Sequence, residues 1–119
     1  MNRWVLLEHK TFDSNLVNMH YDLLVEDELE CITWKLYKIP TFYEGFFEIE
    51  KQPNHRLVWL SRVEHKLSKN RGLVKRIDRG TFSNISHKLD SQEIIIKFDG
   101  KLLNGVLRIY GNVCQLTKK

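Results

Sequence analysis

The chain has 119 residues, a formal net charge of +4 and two cysteines, enough for one domain spanning residues 1–119 with a modest core. No apolar run is long enough to cross a membrane, and Met1-Asn2-Arg3-Trp4 carries no secretory-signal pattern. Cys31 and Cys114 form no Cys-x-x-Cys pair, which sets aside zinc-ribbon and disulfide-scaffold classes and leaves a cytoplasmic, monomeric protein as the expectation.

Strand signals dominate the chain. Residues 3–9 are apolar and β-favouring, and residues 19–26 alternate polar with apolar. Residues 29–37 contain Ile32-Thr33-Trp34 and end before Pro40, which cannot donate to a ladder. The stretch 37–55 is the most loop-like, with a short helix expected over 42–50, where Tyr43, Phe46, Phe47 and Ile49 lie near helical spacing. Residues 56–63 are the next strand, and 68–72 a second loop. Residues 73–77 lead to a turn at Asp78-Arg79-Gly80, then a strand over 81–85. Residues 93–98 are nearly all apolar and are expected to be buried on both faces. Asp99-Gly100 and Asn104-Gly105 are turn signals, and strands over 106–110 and 113–117 close the chain. This pattern predicts a mainly β fold, a small closed β-barrel with short helical or loop insertions. Trp4 and Trp34 are expected in the core, and His65 and His87 on the surface.

The chemistry concentrates at His20-Tyr21-Asp22. Residues two apart on a strand share a face, so His20 and Asp22 project together while Met19, Tyr21, Leu23 and Val25 cover the other side. An imidazole beside a carboxylate can hold a divalent metal, but two ligands do not complete a site. A second feature is basic: Lys66, Lys69, Arg71, Lys75, Arg76 and Arg79 cluster within one stretch. Such clustering suits a phosphate backbone, although many basic runs are only solvated faces.

Taken in order, six segments resemble the 3′-phosphoesterase domain of bacterial DNA ligase D, also called the DNA polymerase ligase N-terminal domain, and stand-alone relatives of it. They are Arg3-Trp4-Val5-Leu6-Leu7-Glu8-His9, then Met19-His20-Tyr21-Asp22-Leu23-Leu24-Val25-Glu26 with the following Trp34 strand. Asn54-His55-Arg56-Leu57 and Arg76-Ile77-Asp78-Arg79-Gly80-Thr81-Phe82 come next, and Ile96-Lys97-Phe98-Asp99-Gly100-Lys101-Leu102-Leu103-Asn104-Gly105 completes the likeness. The resemblance implies a barrel whose manganese-type site (zinc also suits it) is held by His9, His20 and Asp22. It implies removal of a terminal ribonucleoside or 3′-phosphate from DNA or RNA-containing DNA 3′ ends in DNA repair, with a polymerase or ligase acting in trans. His20, Asp22 and His55 would then be catalytic, with His55 on the substrate phosphate, where Trp59 stands in for a family tyrosine.

Three departures define the alternatives, and Trp59 in place of the family tyrosine is one of them. The family arginine two residues after the aspartate is Leu24 here, so phosphoesterase activity is expected to be weak and Leu24→Arg to put the lost fork back in reach. Arg3, Lys35 or Arg56 could supply the missing charge, and Arg3 is counted with His55 and Trp59 as a phosphate contact. The Lys10 to Met19 connection is longer than the family's, and is expected to bulge as a loop; in the rival reading Ser14 replaces the histidine. The alternative functions are a non-catalytic barrel that binds a nucleic-acid end or phosphate, and a metal- or ligand-binding barrel of unrelated role.

Overall fold

Among the described residues the alternating segments pair into nine strands and one short helix. In chain order they are β1 (Arg3–Asp13), β2 (Leu16–Asp27), β3 (Glu30–Leu36), β4 (Phe47–Arg56), the 3-10 helix η1 (Leu57–Leu60), β5 (Glu64–Lys66), β6 (Leu73–Asn84), β7 (Glu93–Asp99), β8 (Asn104–Tyr110) and β9 (Val113–Thr117). This computed structural model describes residues 2–13, 16–67, 71–85 and 93–118; Ser14, Lys69 and His87 lie outside them. All pairings are antiparallel, in the order β1-β2-β3-β4-β9-β8-β7-β6, and β6 pairs back onto β1. The sheet thus closes into a ring of eight hydrogen-bonded strands, a small β-barrel-like fold, with β5 attached outside on β6. Among the described residues no helix is long and apolar enough to cross a membrane.

Alternation divides the apolar residues into two clusters. The inward side chains include Trp4, Leu6, Leu23, Val25, Trp34, Leu36, Ile49, Ile96, Phe98 and Leu107, which fill the ring. Trp4 packs edge-on against Phe98 with centroids 5.0 Å apart and donates its indole N–H to the Thr81 carbonyl at 2.8 Å. Both Trp4 and Trp34 are core residues, as expected. The outward Val5, Leu7, Leu24, Cys31 and Val74 form a second cluster, covered by Leu60 with Leu57, Trp59 and Leu67. Both cysteines are free and buried, and burial pushes the Cys31 thiol up to about 11 and the Cys114 thiol to about 12.

Several elements differ from the sequence expectation. The connection between His9 and His20 does not bulge; β1 and β2 simply run further, paired out to Asp13 opposite Leu16. No helix forms over 42–50, because Phe47 and Ile49 are inward residues of β4. Pro53 is tolerated inside β4 because the register against β3 shifts there, with Gln52 opposite Thr33 and His55 opposite Cys31. Residues 57–60 wind into η1 instead of continuing as a strand, which swings Leu60 over the outer cluster. β7 is not buried on both faces; its residues alternate buried with half-buried or exposed. Asp99-Gly100 and Asn104-Gly105 flank one and the same turn, at residues 100–103, with Asn104-Gly105 opening β8.

Asp78-Arg79-Gly80 is no turn either, since β6 runs straight through it. Asp78 faces inward and its buried carboxylate accepts from the backbone N–H groups of Lys101, Leu102 and Leu103 at 3.0, 2.8 and 2.8 Å. Asp99 reciprocates, accepting from the Thr81 N–H and hydroxyl, both at 2.9 Å. Burial acts to raise the Asp99 carboxyl, but these bonds and one from the Trp4 indole outweigh it and hold it below its ordinary range. A Cβ on Gly80 would run into the Asp99 carboxylate, and one on Gly100 into Asp78 and the Trp4 ring. The Asp-Arg-Gly-Thr and Asp-Gly pieces therefore latch the β7–β8 turn onto β6.

Candidate metal centre

The outer face of β1 and β2 carries the chemistry. His9 on β1 stands directly opposite His20 on β2, and Leu7 opposite Asp22. Cross-strand partners share a face, and Asp22 lies two residues beyond His20, so all three polar side chains emerge together. The two imidazole rings lie 4.7 Å apart, inclined by 62°. His9 Nδ1 is 3.8 Å from Asp22 Oδ2, and His20 Nε2 is 3.3 Å from Asp22 Oδ1. One ligand atom from each residue falls within 4.8 Å of the others.

The far side of the His9 ring explains its orientation. His9 Nε2 lies 3.1 Å from the Arg71 carbonyl oxygen. A carbonyl only accepts, so Nε2 carries the hydrogen and donates it; in the neutral ring Nδ1 is then a lone pair. That lone pair faces a carboxylate oxygen 3.8 Å away, an arrangement that either a cation between them or a second proton on the ring would satisfy. A backbone carbonyl holding the outer N–H is also the arrangement that metal-ligating histidines use to fix ring and tautomer. The donor set of two imidazoles and one carboxylate could hold a divalent metal ion.

Of the residues read from the sequence, His9, His20 and Asp22 are brought together. His55 is not with them. It stands opposite Cys31, which is opposite Glu26, four residues along β2 from Asp22 and hence roughly 13 Å away along the strand. Its ring meets the edge of Trp59, 6.3 Å between centroids, and Trp59 meets His65 at 5.4 Å. Trp59 belongs to η1, packed on the outer cluster, with Arg62 over its face at 4.5 Å. Arg3 lies six residues from His9 at the other end of β1, its Nε and Nη2 forked onto Glu26 at 3.0 and 2.8 Å. Those bonds and the adjacent charge hold the Glu26 carboxyl at about 2.

Among the three cations considered as replacements for the family arginine, Lys35 shares the site's face. It is the direct cross-strand partner of Asp22 on β3. No carboxylate pairs with its ammonium among the described residues; Nζ sits 5.3 Å from the Tyr37 ring centroid. Tyr37, whose hydroxyl donates to Glu50 at 3.4 Å, is the neighbour that sequence reading missed. Strand alternation from Lys35 was the signal for it. Leu24 does share the face of His20 and Asp22, but it is fully buried beneath the η1 cover.

Comparison with protein-family models and with curated proteins gives no match for this chain.

Proposed function

We propose that this chain is a metal-dependent phosphoesterase-like domain acting on nucleic-acid 3′ ends, a relative of the DNA ligase D 3′-phosphoesterase domain. The observation that supports this reading most is the convergence of His9, His20 and Asp22, with Lys35 opposite Asp22 on the same face. A bound divalent ion would polarise a phosphoryl oxygen and lower the pKa of a bound water. The chain's own residues do the rest. His9, locked by the Arg71 carbonyl, presents Nδ1 outward, and Asp22 lends negative charge. Lys35 brings an ammonium to a phosphate on this face, a role that a buried leucine at position 24 cannot fill.

A second reading has its own support. Leu24 is enclosed where the family holds a phosphate-gripping arginine, and His55 stands apart from the cluster. Both favour a barrel that holds a 3′ end or phosphate without turnover. An end-labelled duplex bearing a 3′-phosphate or a terminal ribonucleotide separates the two. With manganese present, the proposal expects slow release of phosphate or nucleoside by the wild type, none by His20→Ala, and a strong loss in Lys35→Met. Tight binding of the duplex with no turnover selects the non-catalytic barrel.

A further inference from the structure

The basic cluster of β6 resolves into a built cavity on the same outer face. Arg76 and Arg79 are three residues apart, a spacing that points side chains to opposite faces of a regular strand. Here the β1–β6 register shifts: Leu6 pairs with Asp78, Leu7 with Arg76, and Ile77 is left as the extra residue of a β-bulge. The bulge resets the alternation, so that Arg76 opposite Leu7 and Arg79 opposite Val5 both face outward. They line a cavity of about 520 Å³ together with Arg3, Val5, Leu60 and Ser61.

The charge in this cavity is one-sided. Arg3 is matched by Glu26, but no acidic group pairs with Arg76 or Arg79 among the described residues. Asp78, between them in sequence, faces inward and is spent on the turn amides. Two like charges aimed into one partly enclosed space repel each other, which an anion between them would relieve. Planar guanidinium forks match phosphate oxygens. Arg76 also lies in the cross-strand row Arg76–Leu7–Asp22, roughly 10 Å from Asp22 at two strand spacings.

We propose that the Arg76/Arg79 cavity is a phosphate-binding site, distinct from the His9/His20/Asp22 cluster and created by the bulge at Ile77. The group it takes is a phosphate, either a backbone phosphodiester of a nucleic-acid strand or free phosphate. Only the choice of oligonucleotide as probe rests on the functional reading above. The test uses the whole chain in EDTA, so that no metal contributes. Anisotropy of a labelled single-stranded 12-mer is titrated across salt concentrations, and inorganic phosphate binding is followed by calorimetry, for wild type, Arg76→Gln, Arg79→Gln and Lys97→Ala. Thermal melts establish that each variant is folded. The glutamine variants are expected to weaken phosphate binding, and where the source is a strand, to reduce the salt slope by about 0.7 for each phosphate no longer neutralised. Phosphate binding without oligonucleotide binding assigns the free anion. Lys97→Ala, which removes an exposed cation of β7 outside both sites, should change neither, and with EDTA present the site stands whether or not the metal reading does. Glutamine variants that bind both probes like wild type, or a wild type that binds neither, would overturn it.

Discussion

His9 and His20 face each other across the β1–β2 hairpin, and Asp22 closes the space beside them. Their approach depends on hairpin register, because a slip of one residue would send His20 and Asp22 into the barrel interior. The extended pairing to Asp13 and Leu16 secures that register without a loop bulge. Manganese binding should therefore be lost in His20→Ala and in Asp22→Asn, measured by calorimetry. Because metal ligands must be deprotonated, wild-type affinity should fall as the pH is lowered. Wild-type affinity in both variants would reduce the cluster to an ordinary polar strand face.

Arg3 and Glu26 clamp the opposite end of the same strand pair, and they make stability pH-dependent. The Glu26 carboxyl is held at about 2 against an ordinary value of 4.5. A carboxyl depressed by folding contributes stability that is fully present above its unfolded value and is lost as pH falls through the folded one. The stability gap between wild type and Glu26→Gln, from urea melts, should thus be constant above about pH 5 and narrow steadily toward pH 2. Arg3 is half exposed, so the gap should also shrink with added salt. A gap that widens on acidification would contradict the clamp.

Asp78 should be among the costliest polar residues to remove. Its carboxylate accepts from three turn amides, and charge-assisted bonds are worth about 1.5–3 kcal/mol each. Asp78→Ala should destabilise by about 3 kcal/mol or more in chemical denaturation, while Asp78→Asn, which keeps one acceptor oxygen, should lose less. Equal losses in the two variants would show that shape, not acceptor charge, holds the turn.

The readable part of this sequence was its alternation. Period-two patterning located β2 to within a few residues and put His20, Asp22 and Leu24 on one face, while β-favouring runs between turn signals located β3, β7, β8 and β9. What alternation cannot reveal is what covers a face from outside. Leu24 looked like an open position beside His20 and Asp22 because nothing in the sequence says that η1 folds back over it. The bulge at Ile77 was hidden for a related reason: an extra residue in a strand is visible only against its partner's register. Asp78-Arg79-Gly80 carries the composition of a turn, yet its glycine answers to close packing against Asp99 and Trp4. His55 and Trp59 were placed together by the family resemblance, and the chain turns into η1 between them.

Leu24 is where the sequence and the structure give opposite engineering advice. Read along the strand, Leu24→Arg restores a phosphate fork beside His20 and Asp22. In the fold, Leu24 has no exposed surface and is packed with Val5, Leu7, Cys31 and Leu60. Truncation to alanine there should cost about 2–5 kcal/mol, through the apolar burial removed and the cavity left behind. Arginine should cost at least as much, because it overpacks the site and brings a charge without a partner into an apolar cluster. Its only relief is to lift η1 from the sheet, and that exposes the cluster to water. Melting curves should show Leu24→Arg well below wild type, with Leu24→Met close to it. Any activity toward a 3′-phosphate should then fall in Leu24→Arg and depend on Lys35, which already reaches the face from β3. A folded Leu24→Arg with wild-type melting and raised activity would mean that the cover opens freely and that position 24 is a true part of the site.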